Sequence, residues 1–158
     1  MSATPFSSVH FDRLFKLVGA FFTTLLLSIS ANAATGFATN DKNVAIDGFD
    51  TVAYFEQKRS IRGKEGFKTE YEGVNWLFSS AENLALFKEN PEKYVPQYGG
   101  YCAYAMAKGQ LAVGKGRQWR IVDDKLYLNF SSKIKKRWDK KHKRFITEAD
   151  TKWASSEY

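Results

Sequence analysis

Cysteine and histidine are scarce in this chain of 158 residues, and their scarcity excludes several classes of protein. A single cysteine cannot form an intrachain disulfide, and it cannot complete a CxxC zinc or thioredoxin-type motif. Of the two histidines, His10 lies near the N-terminus, so His142 is the only imidazole in the rest of the chain. Long hydrophobic runs are also missing: residues 17–29 are uncharged and apolar, but a membrane-spanning helix needs ~20 residues.

The overall composition is that of one folded domain. Hydrophobic residues make up 44% of the chain and aromatic residues 16%, which is enough to build a core and argues against disorder. The formal net charge of +7 favours acidic partners without selecting one of them.

The first 33 residues have the pattern of a secretory signal peptide. A polar start with basic residues precedes the apolar run at 17–29, and Ala-Asn-Ala at 31–33 is a small-x-small cleavage site. We therefore predict an exported protein, in the periplasm of a bacterium. The alternative is an uncleaved signal anchor in the inner membrane. In an oxidising compartment, Cys102 would have no partner thiol in its own chain.

After a short leader at 34–43, the pattern predicts a domain at 44–153 and a tail at 154–158. Two alternating segments, 67–78 and 118–130, predict hairpins with turns at Glu72-Gly73 and Asp123-Asp124. Asp50 is predicted to cap a short helix, and Ser79 with Glu82 reads as a capping box. The predicted fold class is α+β: a small antiparallel sheet of two hairpins with helices packed on it. No internal repeat longer than a hairpin plus a helix is recognised.

The densest group of reactive side chains lies at residues 98–106, which read YGGYCAYAM. Cys102 and Met106 are four residues apart, so a helix would place both sulfurs on one face. Thiolate and thioether are soft ligands that suit Cu(I), and His142 is the available third donor. The competing interpretation is that Cys102 and Met106 are ordinary core residues.

Two other uses of this region remain open. A thiol enzyme would need His142 as the base and Asp47, Asp50 or Asp139 behind it; such scattered residues define no triad, so we predict no enzyme. An aromatic pocket for a small ligand is the second use. Its candidate residues are Asp50, Tyr54, Trp76, Tyr98, Gly99, Gly100, Tyr101 and Tyr104.

A basic stretch begins at Lys133 and ends at Arg144, with Asp139 as its only acid. Because the chain is predicted to be exported, nucleic acid is not the expected partner, and anionic lipid headgroups are. The simpler interpretation is a solvated outer helix face.

Several segments in order resemble exported YHS-domain proteins. Residues 45–55 read AIDGFDTVAYF, 90–94 read NPEKY, and 97–104 read QYGGYCAY. The resemblance covers about residues 44–153 and implies an association with heavy metals, held by cysteines in the metal-binding forms. Aligned by hand, those cysteines fall on Ala53, Ser79 and Asn83, which are poor donors for a soft metal. The resemblance therefore implies a binding module that either uses Cys102 as a relocated copper ligand or is free of metal.

Overall fold

The structure is a computed structural model that describes residues 36–155. The predicted signal peptide at 1–33 lies outside the described residues. Within the described part, helices and strands alternate in an α+β fold, as predicted. The helices are α1 (Thr51–Glu56), α2 (Ala81–Glu89), α3 (Pro91–Tyr94), α4 (Ala103–Ala107), α5 (Ser132–Asp139) and α6 (His142–Ala154). The strands are β1 (Lys64–Tyr71), β2 (Val74–Phe78), β3 (Lys115–Val122) and β4 (Lys125–Asn129). No helix in this range is long and apolar enough to cross a bilayer.

Both predicted hairpins are present, and each forms its own two-stranded antiparallel sheet. β1 pairs with β2, and β3 pairs with β4. The two-residue turns have positive φ at both positions, 49° and 73° at Glu72-Gly73 and 49° and 55° at Asp123-Asp124. Such turns match the twist of the strands that they join.

The order of elements occurs twice along the chain. A short turn, a short helix, a hairpin and two helices fill residues 46–94, and the same series fills residues 97–154. The backbone hydrogen bonds repeat with it. They are Gly63 N to Gly48 O (2.9 Å) and Asp50 N to Ile61 O (2.9 Å) in the first half, and Gly114 N to Gly100 O (3.0 Å) and Cys102 N to Ala112 O (2.7 Å) in the second. Cys102 therefore occupies in the second half the position that Asp50 occupies in the first.

The repeat is not apparent in the sequence because many equivalent core positions carry different side chains. Phe87 of α2 corresponds to Trp138 of α5, and each is wholly buried in its own core cluster. The first cluster centres on Trp76, Phe78 and Phe87 and also takes up leucines of β4. The second contains Met106, Trp138 and the buried face of α6.

Serine or aspartate side chains cap the N-termini of α1, α2 and α5. Oδ1 of Asp50 accepts hydrogen bonds from the amides of Val52 (2.9 Å) and Ala53 (3.2 Å), which confirms the predicted cap of α1. The predicted cap of α2 is wrong by one residue. Ser80 rather than Ser79 is the N-cap, because the Ser79 side chain is bonded to Asp50 instead.

The turn before α4 has a left-handed backbone. Tyr98, Gly99 and Gly100 have φ values of 54°, 58° and 86°. The chain around Gly36 lies directly against this turn, and the amide of Ala38 donates to the carbonyl oxygen of Gly99 at 2.8 Å. A left-handed backbone and a close chain contact both call for glycine at position 99.

We expect Gly99→Ala to lower the free energy of unfolding by about 2 kcal/mol or more, because its Cβ would overlap the carbonyl oxygen of Gly36. Gly66→Ala is the matched control, since nothing lies within 4 Å of a Cβ there. Urea unfolding, monitored through tryptophan fluorescence, measures the free energy of unfolding of both variants. Equal stability of the two variants would contradict the assigned contact.

Candidate functional site

Asp50 is a wholly buried carboxylate at the junction of three segments. Its Oδ1 accepts the two amides at the start of α1. Its Oδ2 accepts hydrogen bonds from the amide of Ser79 at 2.7 Å, the hydroxyl of Ser79 at 2.6 Å and Nδ2 of Asn83 at 2.7 Å. Burial of a carboxylate is costly unless its oxygens are satisfied, and here both oxygens are.

The positions that align with the metal-binding cysteines of YHS modules converge on Asp50. Ala53 contacts it through its amide, and Ser79 and Asn83 contact it through their side chains. A methyl group, a hydroxyl and an amide offer no thiolate, and the polar atoms of Ser79 and Asn83 already donate to the carboxylate. These residues do not fit a soft metal ion. A hydrogen-bonded carboxylate holds the three segments together instead.

Cys102 and Met106 lie one helical turn apart, as their spacing predicts. Cys102 is the N-cap of α4, and the amide of Met106 donates to its carbonyl oxygen at 2.9 Å. Both side chains are wholly buried. The thiol makes its hydrogen bond to Oδ1 of Asn129, with Sγ and Oδ1 at 3.7 Å. The immediate polar neighbour of this sulfur is therefore a neutral amide.

His142 is the first residue of α6. Its Nδ1 lies 3.1 Å from the carbonyl oxygen of Asp139, and its ring centroid lies 5.7 Å from that of Trp138. Trp138 belongs to the same buried cluster as Met106, whereas Cys102 is not a member of that cluster. Among residues 36–155, no group of three His, Cys, Asp or Glu side chains is placed to hold a metal ion.

The candidate pocket residues from the first half lie in the core. Tyr54 donates its hydroxyl to the carbonyl oxygen of Gly116 at 2.7 Å, and Nε1 of Trp76 donates to the carbonyl oxygen of Tyr71 at 3.2 Å. Burial, with a smaller contribution from the charge of Asp50, raises the pKa of the Tyr54 phenol well above its usual range. Tyr54 and Trp76 thus pack and bond within the first cluster.

Tyr98 and Gly99 do line a depression, of about 250 Å³. Its other walls include Phe37, Pro96 and Trp153. The rings of Tyr98 and Trp153 have their centroids 6.1 Å apart. On the described surface, this depression corresponds in position to the predicted aromatic pocket.

The side chain of Tyr98 is fixed by α6. Its hydroxyl donates to Oδ1 of Asp150 at 2.7 Å. Burial and this hydrogen bond to Asp150 raise the pKa of the Tyr98 phenol far above its usual range, so the phenol stays a neutral donor. A tyrosine in the left-handed region is uncommon, and here the strained residue is anchored at both its backbone and its hydroxyl.

The remaining candidates lie next to this depression or beyond it. Tyr101 is half-buried, with its ring 6.5 Å from Trp153, whereas Tyr104 packs on Phe145 at 5.0 Å. Gly100 is buried in the turn itself. Sequence reasoning missed Phe37 as a wall because it lies in the supposed leader, and it assigned Trp153 only to the core.

Comparison with known proteins finds one family model that matches part of the chain. The family model described as YHS domain matches residues 52–98, from α1 to the Tyr98 turn. The match supports a YHS domain-containing protein and corresponds to the first of the two structural halves. No curated protein and no solved structure matches the chain.

We expect Asp50→Asn to lower the free energy of unfolding by about 3 kcal/mol or more. The NH₂ group of the new asparagine would face the N–H donors of Ser79 or Asn83. Donors that face each other cannot form a hydrogen bond, so they would stay unsatisfied in a buried site. Asp41→Asn, at an exposed position, is the control and should change stability by less than about 0.5 kcal/mol. Chemical denaturation measures the difference, and similar values for both variants would show that Asp50 does not organise the fold.

Proposed function

We propose that the protein is an exported, non-catalytic binding module that takes a small apolar or aromatic group in the depression at the Tyr98 turn. The observation that carries the proposal is the wall of three rings, Phe37, Tyr98 and Trp153, around a turn of strained backbone. Export is supported by the signal-peptide pattern of residues 1–33.

The size and chemistry of the depression define the ligand class. At about 250 Å³ it is slightly smaller than a typical drug-sized pocket, so a single ring or one side chain of a peptide fits it best. Pro96 and the three rings favour an apolar group. Tyr98 is buried and its hydroxyl is already bonded to Asp150, so the half-buried rings of Phe37 and Trp153 are the ones that can meet a ligand.

A non-catalytic role fits the surroundings of the only thiol. Cys102 is wholly buried and bonded to an amide oxygen, whereas a nucleophilic cysteine needs access to substrate and a base that makes the thiolate. His142 instead places Nδ1 at the carbonyl oxygen of Asp139. These contacts favour a structural thiol over a thiol enzyme.

Indole, a small neutral ring, is the probe for this depression. Titration into ¹⁵N-labelled protein should shift the amide signals of Gly36 and Gly99, with a dissociation constant on the order of 1 mM for so small a ligand. Trp153→Ala should weaken binding about tenfold through the loss of one wall. Leu111→Ala, which removes an exposed apolar side chain elsewhere, should bind as the parent does. Absence of shifts at these amides, or equal binding by the Trp153 variant, would contradict the proposal.

Copper capture is a second candidate function, and the one-turn spacing of Cys102 and Met106 favours it. Two soft donors already share one buried turn, and His142 contacts Trp138, which belongs to the same cluster as Met106. Binding of one ion by all three residues requires the imidazole to reach both sulfurs.

Titration with Cu(I) against a chromogenic chelator tests this candidate. If it is correct, the parent binds with sub-micromolar affinity and Cys102→Ser loses at least about a hundredfold, since the thiolate is the strongest donor. Met106→Leu keeps the packing volume, so weaker binding by that variant reports ligation rather than unfolding. An absence of competition by the folded parent protein ends the copper hypothesis.

A further inference from the structure

Two shallow depressions meet at the N-terminal end of α5. One, of about 380 Å³, runs along the exposed side of that helix, and the other, of about 430 Å³, lies between it and the start of β3. They share Ser132. Together they form one surface, here called the cationic face. It carries Arg62, which is paired with Asp47, and six further cations: Lys115, Arg117, Lys133, Lys136, Arg137 and Lys140.

The six further cations of the cationic face are not neutralised by the protein. Within residues 36–155, no carboxylate lies within 4.0 Å of any of these six groups. Asp139, the only acid of α5, pairs instead with Lys135 at 2.6 Å and Arg120 at 3.3 Å. Asp47, at the rim, is paired with Arg62 at 3.1 Å. The helix thus has one side with paired charges and one side whose cations have no carboxylate partner, although Arg137 lies over the Tyr104 ring.

An aromatic side chain lies among these cations. Phe130, the residue between β4 and the N-cap of α5, lines the second depression and is 51% exposed. Exposed large apolar residues scattered singly need no explanation, but Phe130 lines the same depression as Lys115 and Arg117, next to the lysines of α5. An exposed ring beside unpaired cations combines two features of membrane-surface recognition.

We propose that the cationic face docks on an anionic lipid bilayer, with its lysines and arginines at the headgroup phosphates and Phe130 in the acyl boundary. Charge complementarity selects an anionic partner. The exposed ring selects a bilayer, because a membrane offers an apolar layer directly beneath its phosphates. Docking is independent of the Tyr98 depression, so either proposal stands if the other fails.

Vesicle sedimentation with the chain lacking residues 1–33 tests the docking. We expect binding to phosphatidylcholine vesicles that contain phosphatidylglycerol, weaker binding as salt rises, and no binding to phosphatidylcholine alone.

The triple variant Lys133→Gln, Lys136→Gln, Lys140→Gln should lose affinity on the order of 100-fold, at about fivefold for each lysine. Its matched control carries Lys42→Gln, Lys58→Gln and Lys88→Gln, which are exposed lysines that line neither depression, and should bind nearly as the parent does.

The apolar contact is tested separately. Phe130→Ser should lower vesicle affinity about tenfold, by the loss of part of a buried ring. A Phe130→Cys variant carrying a solvent-sensitive dye should report an apolar environment with anionic vesicles; Cys102 is wholly buried and will not compete for the dye. Equal losses in the two triple variants, binding to neutral vesicles, an unshifted dye signal, or tighter binding to single-stranded DNA than to vesicles would overturn the proposal.

Discussion

The hydrogen bonds of the Asp50 carboxylate are the constraint on which the first half of the domain depends. One buried side chain fixes the start of α1, the end of β2 and the first turn of α2, because its donors come from all three segments. A buried charge leaves little freedom, since each oxygen must keep its donors or bear a large desolvation cost. The same arrangement accounts for the serine at position 79. Its hydroxyl donates a hydrogen bond to the carboxylate, while Ser80 caps the helix.

The second half repeats the backbone of the first without its central charge. Cys102 stands at the position of Asp50 and makes one weak hydrogen bond, to Asn129. This half is held by packing around Met106 and Trp138, and by the bond from Tyr98 to Asp150. Cys102 is thus the positional counterpart of Asp50, and both side chains are wholly buried.

Local patterns in the sequence predicted most of the elements and little of the site. Alternation and turn residues located both hairpins, and the cap at Asp50 was visible because it binds amides two and three residues away. Contacts between distant segments left no such signal. The wall formed by Phe37 depends on a chain segment about sixty residues before Gly99, and the repeat is expressed in backbone bonds rather than in matching side chains.

The segment that matches the YHS family model and the residues of the two proposed binding sites coincide only in part. The matched segment, residues 52–98, contains the donors Ser79 and Asn83 of the Asp50 network, whereas Asp50 itself lies just before it. Trp153 of α6 lines the aromatic depression, Asp150 of the same helix holds the Tyr98 hydroxyl, and α5 carries most of the cationic face. Both proposed activities therefore depend on residues beyond the matched segment. A swap of the last two helices between related chains would change ligand and membrane binding while leaving the Asp50 network intact.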